Sequence, residues 1–469
     1  MLVLKGKRVA VLGLMDAGVA AIRFLAAQGA KVQAYGVATE NDLKRIRAEL
    51  KTVSYELFVE SPTRQALESQ DYVILTSGGY HYHEVTDPLR AAGKTFLTDL
   101  ELASHFYTRP IIAITGSNGK STTIHLVKAF LEAGGKKVLT AGGDHVDFAQ
   151  SLCEKTPYDY VLLELSSARL RETERFRPHI AVFLNLYPGH SDRHDSMRSY
   201  GLAKSKIFSG QGEDDFLVHQ ASHEIQEIIR EVGSKAKALR FSVYEELEVG
   251  IFYRSRGNSL RFRDGKGNES KYRLERFSFP GPHNIENLAA AVLVAKICGI
   301  PDEIIRKTIE TVAPLPDRVE LITKIGGVAY YSDARSSNAI ATLKSLQTFP
   351  DGKVILIAGG EYMEHQLYWM LKDTIAKKAK ALVVFGMNRE HFRKHWEGST
   401  QILMSENLET AVEIANRLAE KGDIVLFSPA ARPEPAVHMT VKKRSLVFRQ
   451  AVEKNAELSK VRAYFPTRI

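Results

Sequence analysis

The stretch Gly116-Ser117-Asn118-Gly119-Lys120-Ser121-Thr122 combines two glycines, one lysine and three hydroxyls. An apolar run from Pro110 to Ile114 precedes it, and an amphipathic run (Ile124, Leu126, Val127, Phe130, Leu131) follows. Strand, glycine turn and helix in that order aim backbone N–H groups and a helix N-terminus at a phosphate. Lys120 would sit against the β- and γ-phosphates, and the Ser121 hydroxyl could ligate Mg²⁺. The strict phosphate-loop spacing asks for glycine at position 114, where this chain has Ile114. Taken alone, the motif therefore leaves an ordinary turn open.

Other reactive types follow apolar runs in the same half of the chain. Glu164 ends the run Tyr160–Leu165. Ligands collect beyond the carboxyl ends of parallel strands, and a carboxylate there suits the hard-oxygen preference of Mg²⁺. A strand-end carboxylate facing solvent is the alternative. The string Asn185-Leu-Tyr-Pro-Gly-His190-Ser-Asp192-Arg193-His194 also trails a buried run; His-x-Asp-x-His binds a transition metal only if all three side chains converge. Lys204, within Tyr200-Gly-Leu-Ala-Lys, reads by itself as a solvated helix lysine. His283, Asn284 and Asn287 open a helical run, where asparagine also serves as a cap. Asp317-Arg318 and Asp333-Ala-Arg335-Ser-Ser337-Asn338 flank the run Val328–Ser332, taken as the first strand of the last third.

These residues need a scaffold that brings strand ends together, and the apolar patterning supplies three α/β segments. The first, residues 1–104, opens with a Rossmann-like strand–turn–helix at Lys7–Leu14 and Val19–Gln28, with further strands at Lys31–Tyr35 and Tyr72–Thr76. Gly13 and Gly18 are present, but Met15 replaces the middle glycine and Gly36 stands where a nicotinamide site would want an acid, which argues against a dehydrogenase. The second, 105–313, carries the phosphate loop and a mostly parallel sheet, then an antiparallel ribbon at 249–277 and a helix at Ile285–Cys298. The third, 314–469, is again Rossmann-like, with strands at Val328–Ser332, Lys353–Ala358, Ala381–Phe385 and Asp423–Ser428.

Composition narrows the class. At 469 residues the chain exceeds a single core, and 44% apolar with 25% charged residues is globular usage. No apolar run approaches the roughly 20 residues of a membrane span. The N-terminus leads directly into a strand rather than a signal peptide, and two distant cysteines, Cys153 and Cys298, form no framework, so the cytoplasm is expected. The net charge of +9 suits anionic small molecules. No basic stripe with interleaved aromatics, helix-turn-helix pattern or zinc spacing points to nucleic acid.

Taken together and in order, these blocks resemble the Mur ligase family over nearly the whole chain. Gly-Ser-Asn-Gly-Lys-Ser-Thr is similar to the family's own phosphate loop, in which position 114 need not be glycine. Glu164-Leu-Ser-Ser167, the Asn185/His190/Asp192/Arg193 block, the Ala-Lys pair ending in Lys204, His283-Asn284-x-x-Asn287, Asp317-Arg318-Val-Glu320 and the block opened by Asp333 resemble the remaining signatures. A Rossmann-like first domain directly before the ATPase domain is similar to the D-glutamate-adding branch.

The resemblance implies ATP-driven amide formation. A carboxylate takes the γ-phosphoryl group to give an acyl phosphate, and an amine then displaces phosphate. It implies Lys120, His190 and a carbamylated Lys204 as catalytic residues. Gly116, Ser117, Asn118, Gly119, Lys120, Ser121, Thr122, Asn284, Asn287, Arg318 and Asp333 are implied for ATP, and Ser121, Glu164, His190 and Lys204 for Mg²⁺. Leu14, Met15, Ser77, Gly78, Asp144, Ser166, Arg193, Arg335, Ser337, Ser428 and Arg432 are implied for the UDP-sugar and amino-acid substrates. The partners are then small molecules only, and the chain a monomer. Alternatives are a ligase of the same type adding another amino acid, and a phosphate-loop protein that binds nucleotide without ligating.

The amino-acid end departs from the family. Met363 stands where Gly-Gly-x-x-Lys supplies a carboxylate-binding lysine, and the loop after Ser428 loses its second serine but gains Arg432. A guanidinium can pair a carboxylate through two parallel hydrogen bonds. At the nucleotide-sugar end, Gly36 replaces a common acidic contact and Asp144 replaces an asparagine.

Overall fold

The computed structural model describes residues 2–76, 82–143, 148–152, 158–188, 194–363 and 367–464. Three sheets follow one another along the chain. The first contains β1 (Arg8–Leu12), β2 (Lys31–Tyr35), β3 (Glu56–Phe58), β4 (Tyr72–Leu75) and β5 (Phe96–Thr98), all parallel in the order β3-β2-β1-β4-β5. Strands of a parallel sheet are covered on both faces, so β1 reads Val-Ala-Val-Leu after its exposed Arg8, with all four buried. At the tip of β1 a Cβ on Gly18 would lie 1.9 Å from the Gly13 carbonyl oxygen, which fixes the close approach of helix to strand.

The central sheet has nine strands: β6 (Ile111–Thr115), β7 (Val138–Gly142), β8 (Tyr160–Glu164), β9 (Ile180–Phe183), β10 (Phe216–Gln220), β11 (Lys237–Ser242), β12 (Gly250–Arg254), β13 (Ser259–Arg263) and β14 (Glu269–Arg273). Its order is β14-β13-β12-β11-β10-β9-β6-β8-β7, and only the ribbon β12–β14 is antiparallel. β6 lies between β8 and β9, so the phosphate loop after β6 has Glu164 on one side and Asn185 on the other. The helix Pro282–Ile297 packs against this sheet and the helix Lys120–Ala133, and Leu288 through Ala295 are completely buried. A helix apolar all round must lie in a core, and here that holds the polar first turn, with Asn284 and Asn287, in a fixed place.

The third sheet contains β15 (Glu320–Ile325), β16 (Val328–Ser332), β17 (Val354–Gly359), β18 (Ala379–Phe385), β19 (Gln401–Ser405) and β20 (Ile424–Phe427), in the order β15-β16-β20-β17-β18-β19. Val328–Ser332 is therefore not the first strand of this unit. The antiparallel β15 precedes it across the Gly326-Gly327 turn, because Glu320–Ile325 lies at the sheet edge with no fully buried residue and gives no apolar run to read. β3, β5, β10, β11 and β19 likewise lie outside the strands expected from sequence. The helix Asp99–Phe106 runs across residue 104 and joins the first sheet to the central unit. There Asp99 pairs with Arg169 at 2.5 Å, and the Glu101 carboxylate accepts from the backbone N–H groups of Glu174 and Arg175. Among the described residues no helix is long and apolar enough to cross a membrane.

Candidate active site

The loop after β6 is tied down before any ligand is considered. Asn185, just past β9, accepts from the Asn118 backbone N–H at 2.9 Å and donates back to the Asn118 carbonyl at 3.1 Å. The Ser117 hydroxyl accepts from the Tyr187 N–H at 2.9 Å. Gly119 caps the helix Lys120–Ala133 at φ +87°, in the left-handed region, and a Cβ there would lie 2.2 Å from Asn287 Oδ1. Backbone conformation and a neighbouring side chain both require glycine at this position. With Gly119 so placed, the first N–H groups of the helix stand at the end of the loop, where an anion is stabilised.

Two lysines meet on one carbonyl. Lys120 Nζ donates to the Gly116 oxygen at 3.0 Å and to the Ser117 oxygen at 3.3 Å. Lys204 Nζ, from the helix Met197–Ser205, donates to the same Gly116 oxygen at 3.0 Å and lies 4.5 Å from the centre of the Tyr200 ring. Lys204 is 1% exposed, so the solvated-lysine reading fails. Burial, then the Lys120 charge, holds its ammonium well below the usual lysine range. Lys120 is shifted down by burial too, with Glu164 opposing the shift.

Glu164 Oε2 is buried without a hydrogen-bond partner, and Gly143 packs so closely that a Cβ there would lie 2.7 Å from the Glu164 carboxyl carbon. On the other side of the loop, Ser121 Oγ accepts from Arg318 Nη2 at 3.4 Å. A buried carboxylate oxygen without a partner and a hydroxyl at the start of the helix Lys120–Ala133 are both hard oxygen donors of the kind Mg²⁺ takes, so these residue types fit that ion. Among the described residues no group of three His, Cys, Asp or Glu side chains forms a metal cluster. His194, the described member of the His-x-Asp-x-His string, bonds Ser167 Oγ at 2.9 Å. His190 and Arg193, with Ser77, Gly78 and Asp144, lie outside the described residues.

A cleft runs from the loop to the third unit, lined by Asn118, Gly119, Thr122, Asn284, Asn287, Arg318 and Asp333 among others. All seven are residues expected to hold nucleotide. Asn284 Nδ2 donates to the Pro280 carbonyl at 2.6 Å, and its Oδ1 accepts from Asn287 Nδ2 at 3.1 Å. Burial pushes the His283 imidazole down to about 4, with Lys344 and Arg318 adding to the shift. The Asp333 carboxyl is 3% exposed and accepts from the hydroxyls of Ser336, Ser345 (2.5 Å) and Ser428 (2.9 Å); burial raises its pKa despite them. Asp317, by contrast, is spent on structure, accepting from Ser332, Ser445 and Arg449.

The cleft also includes groups that the sequence reading passed over. Glu286 is 4% exposed, accepts from Tyr244 OH at 2.9 Å and from Gln220 Nε2 at 3.3 Å, and is raised by burial. Lys344 reaches across from the third unit to lie 5.4 Å from the Tyr187 ring centre. A carboxylate within an otherwise apolar helix was the one available signal for Glu286; Lys344 had none.

The substrate candidates are spread more widely. Leu14 is buried, and a Cβ on Gly36 would lie 2.8 Å from its Cγ, while Met15 is 63% exposed at the start of the helix Asp16–Ala27. Ser166 caps the helix Ser167–Arg171 through the Arg169 N–H. Arg335, Ser337 and Arg432 are partly exposed on loops at one end of the third sheet. Ser428 is completely buried, donating to the Asp333 carboxylate at 2.9 Å and bonded to Thr342 Oγ1 at 2.8 Å.

Residues 114–295 match the Mur ligase middle domain, and residues 317–431 match the Mur ligase glutamate ligase domain. The UDP-N-acetylmuramoylalanine–D-glutamate ligase of Koribacter versatilis is 34% identical over 460 residues, covering 97% of this chain and 99% of that protein. The protein of the same name from Caldanaerobacter subterraneus is 32% identical over 453 residues, covering 96% and 98%. Among solved structures, the MurF ligase of Thermotoga maritima in complex with ADP shares the fold, with a TM-score of 0.62 at 18% identity over 97% of this chain and 100% of that one.

Proposed function

The chain belongs to the Mur ligase family, and we propose that it joins D-glutamate to UDP-N-acetylmuramoylalanine at the expense of ATP, making a peptidoglycan precursor in the cytoplasm. The observation that carries the reading beyond nucleotide binding is the meeting of Lys120 and Lys204 on the Gly116 carbonyl. A protein that only held nucleotide would have no use for a second, fully buried lysine at its phosphate loop.

The residues divide the work as follows. Asn284, Asn287, Arg318 and Asp333 hold the nucleotide along the cleft, and the N–H groups beyond Gly119 receive its phosphates. The substrate carboxylate oxygen forms a bond to the γ-phosphorus as the bond to ADP breaks. Lys120, kept close to the loop, stabilises charge on the phosphoryl group in transit. The amine of the amino acid then attacks the acyl carbon, phosphate leaves with the bonding electrons, and the amine's surplus proton goes to solvent or base. Ser121 and Glu164 would hold Mg²⁺, which when bound neutralises charge on the phosphate oxygens. Lys204, shifted toward its neutral form, can add CO₂ through Nζ and release one proton, which converts the amine to a carbamate anion. With His190 it would then supply a second set of oxygen and nitrogen donors. Arg335, Ser337 and Arg432 would receive the amino acid, and Leu14 and Met15 the uridine end.

The test is phosphate release from ATP with UDP-N-acetylmuramoylalanine and a panel of amino acids. D-Glutamate should be the preferred amine. Turnover with another amino acid and none with D-glutamate would assign a different specificity; ATP binding without turnover on any amine would overturn ligation.

A further inference from the structure

Arg444 lies in the helix Val441–Tyr464 and is 2% exposed, one of the largest fully buried side chains in the described protein. Its Nε donates to the Ala334 carbonyl and its Nη1 to the Ala431 carbonyl, each at 2.8 Å. Nη2 is buried without a hydrogen-bond partner. Burial pulls the guanidinium down to about 10, against the favourable charges of Asp333 and Asp317. A buried cation with one unsatisfied donor edge is an expensive way to gain stability. The arrangement calls for another explanation.

The two carbonyls supply it. Each belongs to a planar peptide group whose nitrogen is that of the next residue. These next residues are Arg335 and Arg432. Holding the 334–335 and 431–432 peptide planes fixes where both arginine side chains leave the backbone. The second loop needs such holding, because Ala430 sits at φ +61°, a left-handed conformation that is strained for a residue with a Cβ. Its far side is tied by the Glu361 N–H to the Arg432 carbonyl at 2.9 Å. The first loop is fixed at Asp333 by Ser336, Ser345 and Ser428. Between the two loops, the guanidinium of Arg444 acts as a rigid spacer.

We propose that Arg444 is a positioning residue for the amino-acid subsite: its planar fork sets the separation of Arg335 and Arg432 so that the pair receives the two carboxylates of an amino-dicarboxylic acid. The inference rests on the assignment of those two arginines to the amino acid under the proposed function. Lysine cannot replace it, since one ammonium lacks the fixed fork that spans two carbonyls in a plane.

The experiment compares wild type, R444K, R432A and the R444K/R432A pair by phosphate release, with thermal melting as a folding control. R444K should raise the KM for D-glutamate by about tenfold while the KM for ATP stays within about twofold, and should lose preference for D-glutamate over D-glutamine. On the R432A background R444K should add distinctly less than it does alone, because the two act in one path. R444Q, which keeps a planar amide, should fall between. An unchanged D-glutamate KM in R444K, an equal rise in the ATP KM, or full additivity with R432A overturns the proposal. So does failure of both R444K and R444Q to fold, which would make the residue structural. A wild type that turns over no D-glutamate defeats the proposed function instead, and the two failures are thereby distinct.

Discussion

Asn338 donates from Nδ2 to Asn118 Oδ1 at 3.1 Å, joining the third unit directly to the phosphate loop across 220 residues of sequence. The same side chain caps the helix Ala339–Leu346, accepting from the Ala341 N–H at 2.9 Å. One residue thus begins a helix and closes a domain contact, and the two roles can be separated.

Serine at 338 keeps a capping oxygen but cannot reach Asn118. N338S should therefore lower kcat by about two- to tenfold, the value of one hydrogen bond, with stability nearly unchanged. N338A should show the same loss in kcat and about 1 kcal/mol of destabilisation from the missing cap. Urea unfolding alongside steady-state kinetics checks both; equal stability losses in the two variants would defeat the division.

Lys204 sets stability against activity. Its folded pKa is below the unfolded value, so the unfolded chain binds the extra proton. Between the two values stability rises with pH, and below the folded value the full cost of the buried ammonium applies. K204M should abolish phosphate release, gain about 1–3 kcal/mol at neutral pH, and flatten the stability curve toward pH 10. Added bicarbonate should not restore activity. A ¹³C carbamate signal under labelled CO₂ should appear in wild type and be missing from K204M; ordinary turnover in K204M would remove its role.

His283 gives a pH dependence of the opposite experimental reach. With its folded pKa at about 4, the imidazole is neutral throughout the working range of the enzyme. The unfolded chain takes up this proton first as pH falls below about 6.5, so stability is complete above that point and declines toward pH 4. The full shift corresponds to about 3 kcal/mol, and H283Q should remove that part of the acid loss. In kinetics, kcat/KM for ATP should show no break near pH 6.5 that disappears in H283Q. Such a break would mean that His283 is charged in the working enzyme.

What the sequence made legible was whatever is local and apolar. β6, β8 and β9 read as buried runs because both faces of a parallel sheet are covered, and the motifs fell at their ends for the same reason. β15 and β19 did not, since an edge strand with partly exposed positions has neither continuous apolarity nor strict alternation. The phosphate loop, Glu164 and Lys204 were nameable from sequence, but their convergence was not. That Lys204 is buried against Gly116 depends on a contact across 88 residues. That Ser428 is buried against Asp333 was equally hidden, because hydroxyls look alike in sequence and only burial shows which ones bond a carboxyl. Arg444 offered no signal at all, since one arginine in a basic tail is indistinguishable from its neighbours until it is seen to be enclosed.

The amino-acid end yields the last test, because Met363 and Arg432 make opposite claims on it. A lysine at 363 is the family's device for a carboxylate, and a thioether cannot supply that charge. The backbone of Glu361, two residues before Met363, pairs with Arg432 in an isolated bridge, which brings the two loops side by side. A cation from either loop can therefore serve one subsite. If Arg432 has taken over, R432M should raise the KM for D-glutamate about tenfold or more, while M363K should change it by less than about threefold. M363K should then rescue much of the R432M defect, because the charge returns from the neighbouring strand end. Steady-state kinetics on the two single variants and the pair decides it. A large gain from M363K in the wild-type background would mean that the charge is missing rather than moved, and D-glutamate would no longer be the favoured amine.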